Sequence, residues 1–204
     1  RAHITIQDMD GPIDDPDALM AKITSDYKEV VAAGPLIQVE ALMESEDPFG
    51  TRYSTGGFVL GVDPALETKV TMLADNLTRK NGRTEGRGTI PGHKEIVLGY
   101  QLADRLNVDV GDWVSITTAK GRISPFGTKP QKVALRVSGI SQAQMSDFDM
   151  VYAFVDIATA QLLKGIRGVD AIHVKLTKAD LAAEVARRIG YDLNMNTMTW
   201  YESQ

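Results

Sequence analysis

Between Trp113 and Gly139 the chain alternates apolar and polar positions twice. On the way out Val114 and Ile116 alternate with Trp113, Ser115 and Thr117. On the return Val133, Leu135 and Val137 alternate with Ala134, Arg136 and Ser138. A period of two predicts a half-buried antiparallel pair. Further strands are predicted at His3–Ile6, Leu36–Glu44, Tyr53–Val62, Glu95–Leu98, Val151–Val155, Val169–Leu176 and Met195–Tyr201. Three- and four-residue spacing predicts helices instead at Asp17–Ala33 (Leu19, Ile23, Tyr27, Val30, Val31), Gly99–Leu106, Ile157–Lys164 and Lys178–Ile189. Another spans Ala65–Thr78, entered through an Asp63 cap and Pro64 at the first helical position. Gly34-Pro35 is expected to end the first helix, Gly56-Gly57 to form a bulge, and Ser146–Asp149 to be a polar break. The head then reads β-α-β and the tail β-α-β-α-β. The fold class that follows is α+β and two-lobed: a mixed α/β layer from residues 1–46 and 148–204, with a β-rich lobe, 47–147, inserted.

The link Ala119–Gln131 is too long for an ordinary turn, since hairpin loops hold about two to five residues. Pro125 and Pro130 stiffen it and deny it ladder donors, and Phe126-Gly127 suits a tip. It reads either as a projecting arm or as a surface loop. Charge adds weight to the arm. The chain carries −5 overall, yet Trp113–Ser146 holds Lys120, Arg122, Lys129, Lys132 and Arg136 with no acid. Arg79–Lys94 adds five more basic residues against Glu85 alone. A basic face on an acidic body suits an acidic partner or an anionic surface; it is also what a solvated strand face looks like. Asn81–Gly92, with its glycines, reads as a mobile basic loop and lacks the pattern of a phosphate-binding loop.

At 204 residues, 43% hydrophobic and 24% charged, the chain is an ordinary globular protein of one large or two small domains. A pI near 5.2 argues against nucleic acid as the main target. Without cysteine there is no disulfide, iron–sulfur cluster or thiol catalysis. No apolar run approaches eighteen residues. The chain opens almost inside a strand and stops just after another, as expected of a segment cut from something longer. The acidic turn Gln7–Asp17 mimics a calcium loop only in the spacing of Asp8 and Asp10; helix capping suits it better. His3, His93 and His173 have no acid or nucleophile at motif spacing, and His173 falls inside a strand. No catalytic residue, metal site or cofactor is predicted.

Several pieces fall in one order: Gly61-Val-Asp-Pro64, Ile96-Val-Leu-Gly-Tyr-Gln-Leu-Ala103, Leu106-Asn-Val108, Gly111-Asp112, Val137-Ser-Gly139, Phe148-Asp149 and Trp200. In this the chain resembles the periplasmic domain of the permease subunits of lipoprotein-releasing (Lol) ABC transporters, within the MacB-like periplasmic core domain class. The resemblance implies a non-catalytic domain on the periplasmic face of the Gram-negative inner membrane. It implies a cytoplasmic ATPase subunit and a second permease subunit as companions, a soluble LolA-like chaperone as partner, and lipoprotein cargo as a further candidate contact. It also implies a chaperone-binding hook, matched here by Ser124, Pro125, Phe126, Gly127, Thr128, Lys129 and Pro130. A basic base for that hook would come from Arg122, Lys132 and Arg136, although Ser115 stands where the family pattern has arginine. A periplasmic domain of an efflux or cell-division permease is the alternative with the same architecture.

Overall fold

The computed structural model describes residues 2–81, 84–119, 123–124, 127–128, 130–143 and 146–199. The first half runs β1 (Ile4–Gln7), α1 (Pro16–Asp26), β2 (Val30–Glu46), β3 (Arg52–Val62), α2 (Pro64–Val70) and α3 (Leu73–Thr78). Three two-residue strands follow, β4 (Lys80–Asn81), β5 (Thr84–Glu85) and β6 (Arg87–Gly88), then β7 (Glu95–Gly99) and α4 (Tyr100–Leu106). Next come β8 (Trp113–Thr118), the short β9 (Ile123–Ser124) and β10 (Gly127–Thr128), and β11 (Gln131–Ser141). The tail holds α5 (Ser146–Val151), β12 (Tyr152–Asp156), α6 (Ile157–Lys164), β13 (Ala171–Leu176), α7 (Ala182–Leu193) and β14 (Asn196–Thr199).

The fold is mixed α+β around a closed six-strand barrel, in the order β2-β3-β12-β7-β11-β8 and back to β2. Two of the ring's pairs are parallel (β3–β12, β7–β11) and the other four antiparallel, and β8 closes the ring on β2 at Ser115↔Glu44. An open wing, β14-β1-β13, continues from the other part of β2. One strand therefore serves both: β2 pairs with β13 from Val30 to Leu36 and with β8 from Leu42 to Glu44. The barrel is filled by Ile37, Val39, Ala41, Met43, Val114, Ile116, Leu135 and Val137 from the inward positions of its strands. Its two mouths are stopped by helices. Thr118 Oγ1 donates to the Leu163 carbonyl of α6, and Ser45 Oγ donates to the Leu106 carbonyl of α4.

Several expected boundaries shift. The first helix stops at Asp26, and Val30-Val31 begin β2, which runs straight through Gly34-Pro35. The proline is tolerated for a geometric reason. Leu36 turns its carbonyl toward β13, where it accepts the Asp170 N–H at 2.9 Å. Alternation then aims the Pro35 nitrogen the other way, past Val62, the last residue of β3, so no ladder bond is lost. Gly56-Gly57 is no bulge, because the β2–β3 register is continuous there. Gly57 instead admits the α5 backbone: a Cβ would meet the Val151 carbonyl oxygen at 2.7 Å. The helix expected at Ala65–Thr78 breaks at Thr71-Met72 into α2 and α3. Ser146–Asp149 is helical, as the start of α5. Within Asn81–Gly92, Arg87-Gly88 is zipped onto Gly139-Ile140 of β11, so that part of the expected loop is sheet edge.

Candidate interaction surface at the barrel wall

β8 and β11 pair from Arg136↔Trp113 to Gln131↔Thr118, and the chain leaves the sheet beyond Thr118. There it makes a ladder of its own, separate from the large sheet: β9 and β10 pair at Ser124↔Gly127 and Ile123↔Thr128. Of the expected hook, Ser124, Gly127 and Thr128 belong to this ladder, and Pro130 is exposed where the return strand begins. Pro125, Phe126 and Lys129 lie outside the described residues, as does Arg122 of the expected base.

The other two base residues are on β11 and face outward. Lys132 Nζ reaches across β8 to Glu44 Oε2 at 3.1 Å, so this cation is neutralised by β2 and is not free to steer a partner alone. Arg136 is exposed beside Trp113, its register partner, which is itself 62% exposed. Between this row and β3 the barrel wall carries small or apolar groups: Ala134, Ser115, Thr117, Leu42 and Gly56. An open groove of about 660 Å³ runs beside the end of β8 and the start of β11, lined by Leu42, Gly56, Phe58, Thr117, Ala119 and Pro130. The surface is suited to docking, with apolar area bordered by a few charges.

Among the described residues the titratable groups do not assemble into a reaction centre. His3 Nδ1 accepts the Leu176 N–H at 3.0 Å, and His93 Nδ1 lies 3.2 Å from Asp156 Oδ2, a carboxylate that also caps α6 through the Thr159 N–H. Burial lowers the His173 imidazole to about 4. Burial likewise raises the Asp149 carboxyl to about 6, against the opposing pull of the Ala143 N–H and the Arg79 charge. In α2, burial raises Glu67 to about 7, eased by the Thr71 hydroxyl. Among the described residues no three metal-ligating side chains gather. In the acidic turn Asp15 does cap α1, accepting the Ala18 N–H at 3.0 Å.

The ordered motif residues have packing reasons. Asp63 caps α2 through the Ala65 and Leu66 N–H groups. Gly61 lets α6 lie on β3: a Cβ there would sit 2.1 Å from the Ala160 Cβ. Gly111 and Asp112 lock the β8 entry onto β11, exchanging backbone bonds of 2.8 Å with Val137.

The sequence profile of the MacB-like periplasmic core domain matches residues 2–190. The chain belongs to that family. It is 32% identical over 193 residues, 95% of its length, to the lipoprotein-releasing system transmembrane protein LolC of Xylella fastidiosa (strain Temecula1 / ATCC 700964). Over 144 residues, 71% of its length, it is 28% identical to LolC of Neisseria meningitidis serogroup B (strain ATCC BAA-335 / MC58). The chain covers 44% and 32% of those two relatives, less than half of either. The fold is shared with the extracellular domain of the noncanonic ABC-type transporter YknZ from Gram-positive bacteria, at TM-score 0.57 and 12% identity, covering 98% of this chain and 99% of that one. It is shared also with the periplasmic region of MacB from Actinobacillus actinomycetemcomitans, at TM-score 0.55 and 12% identity over 97% and 88%. As a MacB-like core domain the chain is the extracytoplasmic part of a membrane permease, and it is non-catalytic. No helix among its described residues is long and apolar enough to cross a membrane.

Proposed function

We propose that this chain is the periplasmic domain of the permease subunit of a lipoprotein-releasing ABC transporter. In that role it recruits a soluble LolA-like lipoprotein chaperone through the proline-braced arm 119–131. The observation that carries the reading is the likeness to LolC along nearly the whole chain. Two structural features support it. The first and last strands lie side by side, Ile4 opposite Thr199, so the polypeptide enters and leaves the fold at one place, as a domain between two membrane helices must. The arm has a ladder of its own, Ser124↔Gly127, on either side of Pro125-Phe126.

The physical mechanism follows. A tip stiffened by Pro125 and Pro130 loses little conformational freedom on docking, and Phe126 supplies apolar area for a partner pocket. Lys129 and Arg136, with Lys132 held by Glu44, bias the approach of an acidic surface. The lobe of residues 1–46 and 148–204 holds the membrane-proximal ends, and 47–147 carries the arm. β13 pairs with β2 and β2 with β8, the strand that leads into the arm, so displacement driven by a cytoplasmic ATPase at the chain ends is relayed through that row of paired strands. A second permease subunit and lipoprotein cargo complete the machine.

The test is capture: the tagged chain is incubated with a periplasmic extract and with purified LolA-type chaperone. Retention of the chaperone supports the reading. Retention of an efflux adaptor or a cell-wall regulator, with the chaperone left in the flow-through, would move the chain to the efflux or cell-division permeases.

A further inference from the structure

Two buried polar atoms have no hydrogen-bond partner among the described residues and stand on either side of one glycine: Oε2 of Glu67 and Nδ1 of His173. His173 of β13 is the register partner of Gly34 of β2, so its imidazole leaves the sheet on the face where Gly34 has no side chain. Glu67 reaches the same notch from above, its Oε2 lying 3.8 Å from the position a Gly34 Cβ would take. Leu66 and Val70 fill the rest of the contact, at 3.7 and 3.6 Å from that position, and α2 packs there on both β2 and β13. Glu67 is thus a carboxyl on the buried stripe of a seven-residue helix, facing the notch at Gly34, whose register partner is His173.

We infer that Glu67 and His173 form a proton-compensated clasp: α2 seats on the sheet with both groups neutral, and its docking is insensitive to pH where either group alone would make it sensitive. Burial disfavours the charged form of an acid and of a base alike. In water between about pH 5 and 6.5 Glu67 would be an anion and His173 largely a cation. Seating α2 therefore takes up one proton at the Glu67 carboxylate and releases one from the His173 imidazolium. One proton in and one out leaves no net uptake, and a docking equilibrium without net uptake has no pH slope. The values to which burial moves the two groups, about 7 for Glu67 and about 4 for His173, straddle that window.

The other charged groups on the packed elements are few. The charge of the chain's N-terminal amine pulls Glu67 down and Asp63, at the head of α2, pushes it up more weakly; Lys69 of α2 and Asp75 of α3 are exposed. Lys175 shares the His173 face of β13, and His3 is engaged by the Leu176 N–H. From that face of β2 come Ala32, Gly34 and Leu36, none titratable, and further along the exposed Glu40. The clasp matters because α2 leads into α3, whose Leu73 and Leu77 cover Leu60, Val97 and Phe154 on the barrel's outer wall.

The Thr71 amide, which donates to the Glu67 carbonyl at 2.8 Å, reports α2 opening by hydrogen exchange once intrinsic rates are corrected for pH. In the wild-type chain its protection stays constant within about twofold from pH 5 to 6.5. Glu67→Gln leaves the imidazole uncompensated, and protection falls as pH drops, by up to about tenfold per pH unit. His173→Asn leaves the carboxyl uncompensated, and protection falls as pH rises, with a slope of similar size and opposite sign. A wild-type slope as steep as that of a variant, or flat profiles in both variants, overturns the inference. Should a variant fail to fold, side-chain NMR titration of the wild-type chain decides: an ordinary pKa at either residue overturns it too.

Discussion

Lys164 and Asp170 hold the backbone of a single residue between them. The ammonium of Lys164 donates to the Gln38 carbonyl at 2.9 Å, and the Asp170 carboxylate accepts the Gln38 N–H at 2.8 Å while pairing with Lys164 itself. Gln38 lies where β2 has left β13, at Leu36, and has not yet met β8, at Leu42. A strand that changes partners has a gap in its ladder, and here a side-chain pair from the end of α6 and the start of β13 fills it. Asp170→Ala should remove one of these bonds and leave Lys164 without its acid. Because both side chains are partly exposed and water reaches the freed groups, the expected loss is about 1 kcal/mol, read from urea denaturation. A variant as stable as the wild type would show that the pair is ornamental.

Gly61 and Gly56 lie on one strand and predict opposite outcomes. A methyl at 61 meets Ala160 of α6 at 2.1 Å, with Ile37 at 3.3 Å, so α6 must lift from the barrel mouth. Gly61→Ala should cost about 2 kcal/mol or more. Nothing lies within 4 Å of a methyl at 56, on the exposed wall, and Gly56→Ala should change stability by no more than about 0.5 kcal/mol. Thermal melts of the two variants side by side check the pair.

The family motif containing Gly61 could be read from the sequence, but its reason could not, because the reason sits a hundred residues later in α6. The same holds elsewhere. Alternation revealed β8 and β11, and capping chemistry revealed the start of α2, because those signals are local. Val30 and Val31 continue the helical spacing of Leu19, Ile23 and Tyr27 and equally suit a strand. Only pairing with β13 settles them, and that is a tertiary fact. Glu67 could have been noticed as an acid between Leu66 and Val70 on an apolar stripe. That the Gly34 notch it faces lies opposite His173 depends on β2–β13 register, which no local pattern carries. The Lys132–Glu44 bridge, likewise, follows from β8 lying between β11 and β2.

Asp149 predicts a pH effect of definite sign. Its Oδ1 accepts the Ala143 N–H at 3.0 Å, its Oδ2 is buried without a partner among the described residues, and burial raises the carboxyl from 3.8 to about 6. Between those values the folded chain keeps a proton that the unfolded chain has lost, so stability falls as pH rises through the window and levels off above it. Asp149→Asn preserves the acceptor to Ala143 and cannot titrate. The stability of the wild type minus that of this variant should fall by about 1–3 kcal/mol between pH 4 and pH 6.5. Denaturation midpoints at four pH values measure it, and a constant difference would place Asp149 in contact with solvent.

Outer-wall residues should act on association and leave folding alone. Lys132→Ala frees Glu44 and turns a neutral pair into a net negative charge on the barrel's outer wall. Association with an acidic chaperone should slow by about two- to tenfold at low salt, with the difference fading near 0.5 M salt. Stopped-flow mixing at two ionic strengths reads both effects, and a salt-independent change would point to lost packing instead.

The central claim is that the arm grips another protein. Calorimetric titration of the chain with a purified LolA-type chaperone, for wild type, Pro125→Glu and Phe126→Ala, tests it most directly. Binding by the wild type that weakens at least about tenfold in both variants, with melting temperatures unchanged, is the predicted result. Equal affinity in all three, or no binding by the correctly folded wild type, would contradict it.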